Sequence, residues 1–243
     1  MRKLRIGIIG TGSWGECHLE ALQGVPQAEI AAICDPREDR LHAVGGKFGV
    51  ERRFIREEEL IAAGDIDLVS IVSYEKHHFR QALASLRAGK HVLVEKPVCT
   101  SAAEAEALKE AAAENGRHLI PGHLLRFDAR YAEIAKEIES GSIGEPVSMY
   151  FRRSRAKSLL DTYQRTHTVY ELSVHDIDLA LWYSKSRVRT VKAYARYVTG
   201  KSAPDVLWAC LEMENGAVAV LQSDWMAPDA AGIAMDDSLR VIG

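Results

Sequence analysis

The sequence predicts two units in succession: an α/β domain with a parallel sheet over residues 1–122, then an α+β domain with a mostly antiparallel open sheet over residues 123–243. Three observations predict this. From residue 1 to about Gly122, short apolar strand candidates alternate with helix candidates, the grammar of a parallel sheet covered by helices on both faces. A glycine motif, "GTGSWG", stands between the first strand candidate and the first helix candidate. After Gly122, strand-like stretches follow one another, and two of them join through Glu214-Asn215-Gly216, a hairpin signal.

Taken in order, "LRIGII" reads as a buried strand and "WGECHLEALQG" as a helix that stops at Gly24. Between them Gly10 permits a sharp turn, Gly12 lets backbone approach a pyrophosphate, and Gly15 lets helix and strand pack closely. Thr11, Ser13 and Trp14 lie between these glycines, and the free N–H groups of the helix's first turn would face phosphates. "AEIAAICDP" is the next strand. It ends at Asp35, 20 residues after Gly15, where a carboxylate accepts bonds from ribose hydroxyls and repels a 2′-phosphate. Asp35 therefore favours NAD, while Arg37 and Arg40 leave NADP open; the alternative for Asp35 is an Asp-Pro turn. The strands "DLVSIVS", "HVLVEK" and "HLIPG" follow, separated by the helices "HHFRQALASLRAG" and "SAAEAEALKEAAAENG". The second helix opens with a capping box, Ser101 and Glu104, and ends at Asn115-Gly116.

In the second unit the helices are "ARYAEIAKEIESG" and "ELSVHDIDLALWY", and the strand candidates are "EPVSMYFRRSR", "VRTVKAYARYV", "DVLWACLEME" and "GAVAVLQSDW". The arginines of "YFRRSRAK" are expected on a solvated strand face, with an anion site as the alternative. "MDDSLRVIG" begins another strand, either an edge of the fold or the start of something longer.

Composition narrows the function classes. Hydrophobic residues make up 47% and charged residues 27%, an ordinary soluble globular balance. A net charge of -3 provides no basic excess for nucleic acid, and no apolar run is long enough to span a membrane. "MRKLRIGIIG" runs directly into the glycine turn and is read as structure rather than a signal peptide. The four cysteines, Cys17, Cys34, Cys99 and Cys210, form no C-x-x-C pair, which predicts buried reduced thiols and a cytoplasmic protein. No dense cluster of metal ligands is present, so no metal is expected.

Two stretches carry chemistry. "AGKHVLVEKPVCT" places Glu95, Lys96 and Pro97 at the carboxyl end of a strand, the end that faces the ligand crevice of open α/β sheets. A lysine there can hydrogen-bond a reacting hydroxyl and share its proton; the alternative is a charged pair at a strand end. In "THTVYELSVHDIDLALW", helical spacing puts Glu171, His175, Asp178 and Trp182 on one face. A histidine oriented by a carboxylate one turn away can serve as general base, the alternative being a surface Glu–His pair.

"GIIGTGSWG", "DLVSIVSYEKHH", "AGKHVLVEKP" and "ELSVHDIDLALW" together resemble the glucose–fructose oxidoreductase / inositol dehydrogenase / rhizopine-catabolism (Gfo/Idh/MocA) family, from the first strand to the end of the chain. The resemblance implies an N-terminal Rossmann domain, a C-terminal open-sheet domain through whose sheet homo-oligomers form, and NAD(P)-dependent hydride transfer on a sugar, inositol or related polyol. It makes Lys96 the catalytic lysine and His175 the catalytic histidine, with Glu171 where most members have aspartate. Cofactor contacts are implied for Ser73, His78, Glu95 and Lys96, although Tyr74 and Glu75 replace the usual Pro-Asn. Thr166 and His167 stand where paired glycines are common, which brings His167 forward as a substrate contact beside His123 and Arg126. Members are longer at the C-terminus, which implies truncation here. Two other functions stay open: an NAD-dependent glycosidase using transient oxidation, and a non-catalytic NAD(P)-binding regulator.

Overall fold

The computed structural model describes residues 2–163 and 166–243; Met1, where the first predicted domain begins, lies outside the described residues. The chain divides into two compact units, Met1–Gly122 and His123–Gly243.

The first unit runs β1 (Leu4–Ile9), α1 (Ser13–Gln23), β2 (Ala28–Cys34), α2 (Glu38–Phe48), β3 (Arg53–Phe54), α3 (Glu57–Ala62), β4 (Leu68–Ile71), α4 (Glu75–Arg87), β5 (His91–Val94), α5 (Ala102–Glu114) and β6 (Leu119–Pro121). All six strands are parallel, in the order β3-β2-β1-β4-β5-β6. Strand order reverses between β1 and β4, the place where open α/β sheets leave a crevice at the carboxyl ends of their strands. Because helices cover both faces, Ile8, Ile33, Val69, Ile71, Val92 and Val94 are completely buried and the strands read as continuous apolar runs. Helix α4 shows how the sequence selects a helix: its buried residues His78, Gln81, Ala82, Ser85 and Leu86 recur at i, i+3, i+4, i+7 and i+8.

Helices α2 and α3 and the two-residue β3 were not anticipated. The capping box of α5 is not closed either. Ser101 occupies the N-cap but its side chain makes no capping bond, and Glu104 accepts from the Thr100 N–H at 3.4 Å instead.

The second unit opens with a 3-10 turn (Leu124–Phe127), followed by α6 (Ala129–Glu139), β7 (Ser148–Ala156), α7 (Leu160–Tyr163), a π-helical turn (Val169–Ser173), α8 (Val174–Ser184), β8 (Val188–Arg196), β9 (Val206–Met213), β10 (Val218–Ala227) and β11 (Met235–Ile242). The sheet order is β11-β7-β10-β9-β8. Neighbours are antiparallel except β7 and β10, so the sheet is mixed and mostly antiparallel. The β9–β10 hairpin turns at Gly216, whose φ of +90° only glycine adopts without strain. Residues "MDDSLRVI" form β11, the edge strand beside β7.

One face of this sheet packs on α6 and α8, where Met149, Phe151, Met213, Ala219 and Leu221 meet Leu179, Ala180 and Tyr183. Each such large side chain, taken from water, contributes about 1.5–3 kcal/mol. In the stretch "AVAVL", Ala219 and Leu221 are buried on the helix side, and Val218 and Val220 alternate towards the opposite, open face. The open face carries Tyr194 opposite Trp208, and Trp208 opposite Gln222.

Two further expectations are corrected. Two of the three arginines of β7 are not solvated: Arg153 is 3% exposed and Arg155 is buried beside it, because both reach carboxylates from other elements, while Arg152 stays partly exposed against Asp236. Of the cysteines only Cys34 is buried; Cys17 and Cys210 are exposed, and all four are free. Among the described residues no helix is long and apolar enough to cross a membrane.

Candidate functional site

At the carboxyl end of β1 the chain turns through Gly10, whose φ is +99°, and enters α1 at Gly12. The three glycines are required for different reasons. A Cβ on Gly15 would stand 2.1 Å from the Gly10 carbonyl oxygen, so helix and loop could not close with any other residue. Gly12 is the opposite case: its φ is -61°, an ordinary value, and nothing lies within 4 Å of a Cβ built on it. The fold itself does not ask for glycine at that position, whereas a phosphate seated against the backbone does. Gly12 also supplies no capping side chain, so the amides of Ser13, Trp14 and Gly15 keep their direction towards the open end of α1. A dinucleotide's pyrophosphate therefore fits this loop. We expect Gly12→Ala to fold with parental stability while weakening NADH binding about tenfold or more, and Gly15→Ala to lose both. Thermal melts beside fluorescence titrations with NADH check the contrast.

Asp35, at the end of β2, is buried and fully engaged. Its Oδ2 accepts from the backbone N–H and the hydroxyl of Thr11, each at 2.9 Å; its Oδ1 accepts from the Arg37 N–H at 3.0 Å and from Arg37 Nε at 3.3 Å. Burial would raise this carboxyl, but those bonds, the Thr11 and Arg37 amides foremost, outweigh it and hold it below its ordinary value. Asp35 thus fixes the glycine loop to β2. Thr11, wholly buried, is spent on that tie rather than facing outward. Arg40 braces the same loop, donating from Nε to the Thr11 carbonyl at 2.6 Å and from Nη2 to Glu16 at 2.7 Å. Of the two arginines that left NADP open, Arg40 is committed to the fold and Arg37 stays more than half exposed.

β4 and β5 bring the next candidates beside the loop, since β1 pairs with β4 and β4 with β5. Ser73 donates to Gln81 Oε1 at 2.6 Å. His78 is a correction as a cofactor contact. It is 1% exposed, with Nδ1 2.8 Å from the Pro97 carbonyl and Nε2 3.0 Å from the Ser73 carbonyl. Its ring clamps the segment after β5 to the end of β4, so it positions Lys96-Pro97 and cannot reach a ligand.

Glu95 follows β5 and is buried, with Oε1 3.0 Å from His18 Nε2 and Oε2 accepting the Lys96 N–H at 3.2 Å. Burial alone would raise it. The bonds from His18 and from the Trp14 indole, with the Lys96 amide, reverse that and leave the carboxyl below its ordinary value. Lys96 itself is half-buried. His18 was missed in the sequence, though its place one helical turn after Trp14 was legible.

In the second unit, α-helical spacing holds for His175, Asp178 and Trp182, all on α8. Glu171 lies before them in the π-helical turn, whose wider winding displaces it from the position a continuous α-helix would assign. Such turns are frequent at functional sites. Arg126, expected to meet substrate, is instead held by Asp178, donating from Nε at 2.8 Å and from Nη2 at 2.7 Å, and it lies 5.4 Å over the Trp182 ring. Its charge is neutralised within the fold. His123 Nε2 approaches the same carboxylate at 3.9 Å. His167 is exposed, and its Nδ1 accepts from the Val169 N–H at 3.2 Å at the start of the π turn.

A parallel sheet of this strand order, with a glycine loop built for a pyrophosphate, defines a dinucleotide-binding protein of the Rossmann class. The pattern described as "Oxidoreductase family, NAD-binding Rossmann fold" matches residues 4–123, and that of the "GFO/IDH/MocA C-terminal domain" matches residues 131–243. The chain belongs to the Gfo/Idh/MocA family of oxidoreductases. It is 32% identical over 194 residues to an inositol 2-dehydrogenase of Salmonella typhimurium, covering 79% of this chain and 57% of the relative. It is 30% identical over 227 residues to a myo-inositol 2-dehydrogenase of Thermotoga maritima, covering 90% of this chain and 68% of that one. An oxidoreductase from Agrobacterium radiobacter, solved in complex with NAD+, L-tartaric acid and magnesium, superposes with a TM-score of 0.90 at 25% identity over 99% of this chain and 72% of its own. The chain spans 57% of the length of the Salmonella enzyme.

Proposed function

We propose that this chain carries the chemistry of an NAD-dependent dehydrogenase acting on inositol or a closely related cyclic polyol. The observation that carries the proposal is Gly12: a glycine that the fold does not need and a dinucleotide does. The names of the inositol dehydrogenase relatives support the substrate class. NAD, held by the glycine loop, would supply the hydride acceptor for the carbon that bears the reacting hydroxyl. In this reading Lys96 donates a hydrogen bond to that oxygen and orients it, and His175 takes the hydroxyl proton as general base, with Glu171 on the preceding turn. Incubating the chain with myo-inositol, scyllo-inositol and NAD while following absorbance of NADH tests the function. Hydrolysis of a glycoside without accumulation of NADH would favour the glycosidase, and cofactor binding without turnover the regulator.

NAD is the proposed cofactor over NADP because a carboxylate at the end of β2, Asp35, would repel a 2′-phosphate, and Arg40 is already engaged. Only Arg37 Nε, whose bond to Asp35 is the longest of the four, would swing aside to admit ribose hydroxyls. We expect the dissociation constant for NADH to be about tenfold or more below that for NADPH. Equal or reversed affinities would assign the dominant role to Arg37.

We also propose a cytoplasmic homo-oligomer that meets through the open face of the second sheet. Tyr194 is 62% exposed and lies opposite the half-exposed Trp208, an aromatic pair of the kind enriched at interfaces. Sedimentation velocity at several concentrations should give a species larger than the monomer, and Tyr194→Glu should return it to the monomer.

A further inference from the structure

We propose that His18 is a positioning residue, which sets Lys96 through the Glu95 carboxylate and ties that carboxylate to the glycine loop. The inference rests on the dehydrogenase reading for the role of Lys96, and on geometry within the first unit for everything else.

Three elements distant in sequence converge here. His18 on α1 places Nε2 3.0 Å from Glu95 Oε1 and Nδ1 3.1 Å from the Ser70 hydroxyl on β4. Trp14, one turn earlier on α1, turns its indole towards the same carboxylate and helps to lower its pKa. The two rings of α1 meet edge to face with centroids 6.5 Å apart. The other oxygen of Glu95 accepts the Lys96 N–H. Gly122 closes the far side, where a Cβ would stand 3.0 Å from Glu95 Oε1. The carboxylate is therefore surrounded, with each known donor coming from a different direction.

The arrangement of Ser70, His18 and Glu95 has the members of a nucleophilic triad but not its function, because Ser70 is completely buried and no substrate reaches its oxygen. What the chain of bonds does is aim the ring. A carboxylate only accepts, so Nε2 carries a hydrogen towards Glu95, and the Ser70 hydroxyl, free to rotate, partners Nδ1 as donor or acceptor. His18 is thereby held with its donor aimed at Glu95. A buried carboxylate with its donors in place is rigid, and one that loses a donor must move or bind water. Lys96 follows Glu95 directly, so any movement of Glu95 passes to the lysine. An error of about 1 Å in a reacting group costs roughly 100-fold in rate.

The test has an arm that needs no catalysis. In isotopically labelled protein without ligands, the amide resonance of Lys96 reports its bond to Glu95, and the indole N–H resonance of Trp14 reports the surroundings of the same carboxylate. His18→Ala should shift both, whereas His18→Gln, whose amide nitrogen can take the place of Nε2, should leave both near their parental positions. Unchanged resonances in a folded His18→Ala protein would overturn the proposal. Should His18→Ala not fold, His18→Gln decides alone: resonances displaced as far as in Glu95→Gln would overturn it. In the catalytic arm, His18→Ala should lower kcat about 100-fold with the dissociation constant for NADH changed no more than about threefold, and His18→Gln should recover most of the loss. A purely structural histidine would lower the melting temperature without that separation. Failure of the dehydrogenase reading is distinguishable, because the parent protein would then show no turnover while the resonances still report on His18.

Discussion

Lys96→Met is expected to lower turnover by roughly two to four orders of magnitude while cofactor binding is kept. Methionine keeps the unbranched side chain up to the ε position and removes the terminal ammonium, so the effect reads the lost hydrogen bond and proton rather than lost packing. The backbone amide of Lys96, which is the part that contacts Glu95, is untouched by the change. His175→Ala should cost a similar factor through loss of the general base. Initial rates with the best inositol isomer, beside NADH titrations of the same preparations, check both. If either variant turns over near the parental rate, the role assigned to that residue is wrong.

The second large effect is on stability. Arg153→Ala should destabilise the second unit by about 3–5 kcal/mol, because it strands the buried Asp176 carboxylate without its countercharge, while Asp237 keeps Arg155. Arg153 donates from Nε to Asp176 Oδ1 at 2.9 Å and from Nη1 to Asp237 Oδ2 at 2.9 Å, and Arg155 donates to the other Asp237 oxygen at 2.5 Å. The cluster thus joins β7, α8 and the edge strand β11. Urea midpoints of parent and variant measure the difference, and a loss below about 1 kcal/mol would mean that the cluster relaxes to water.

The same cluster makes a pH prediction. Burial pushes the Asp176 carboxyl up from its ordinary value to about 6, against the pull of Arg153. Between about pH 4 and 6 the folded state then holds a proton that the unfolded chain has released, so Asp176 costs stability as the pH rises through that window. Above about 6 both states are ionised and the cost is constant. Asp176→Asn has no such slope. Its urea midpoint should therefore gain on the parent's between pH 4 and 6, by at most about 3 kcal/mol in stability. A difference independent of pH would show that Asp176 is ionised throughout.

Much of the first unit was legible because its signals are local. Apolar runs buried on both faces mark parallel strands, and the glycine motif between β1 and α1 records the close approach of backbone to backbone at Gly15. Lys96 was locatable as the residue just past a strand end, and the β9–β10 hairpin announced itself by Asn215-Gly216. The π turn was not legible, since Val169–Ser173 carries the same apolar spacing that an α-helix would.

The sequence by itself thus determined the alternation of strand and helix, the change of grammar after Gly122, the glycine loop, and the identity of the residues at the strand ends. Only the tertiary structure decided what the polar side chains do. Arg153 read as solvated until Asp237, 84 residues away, was brought beside it on β11. Arg126 read as a substrate contact until Asp178 claimed both arms of its guanidinium, and His78 as a cofactor contact until both ring nitrogens met backbone carbonyls. His18 drew no notice until Glu95, 77 residues on, came within hydrogen-bond reach. The reason is physical: periodicity and turn chemistry are properties of neighbours in the chain, whereas a buried charge or hydrogen-bonding group takes its meaning from partners that only folding brings near.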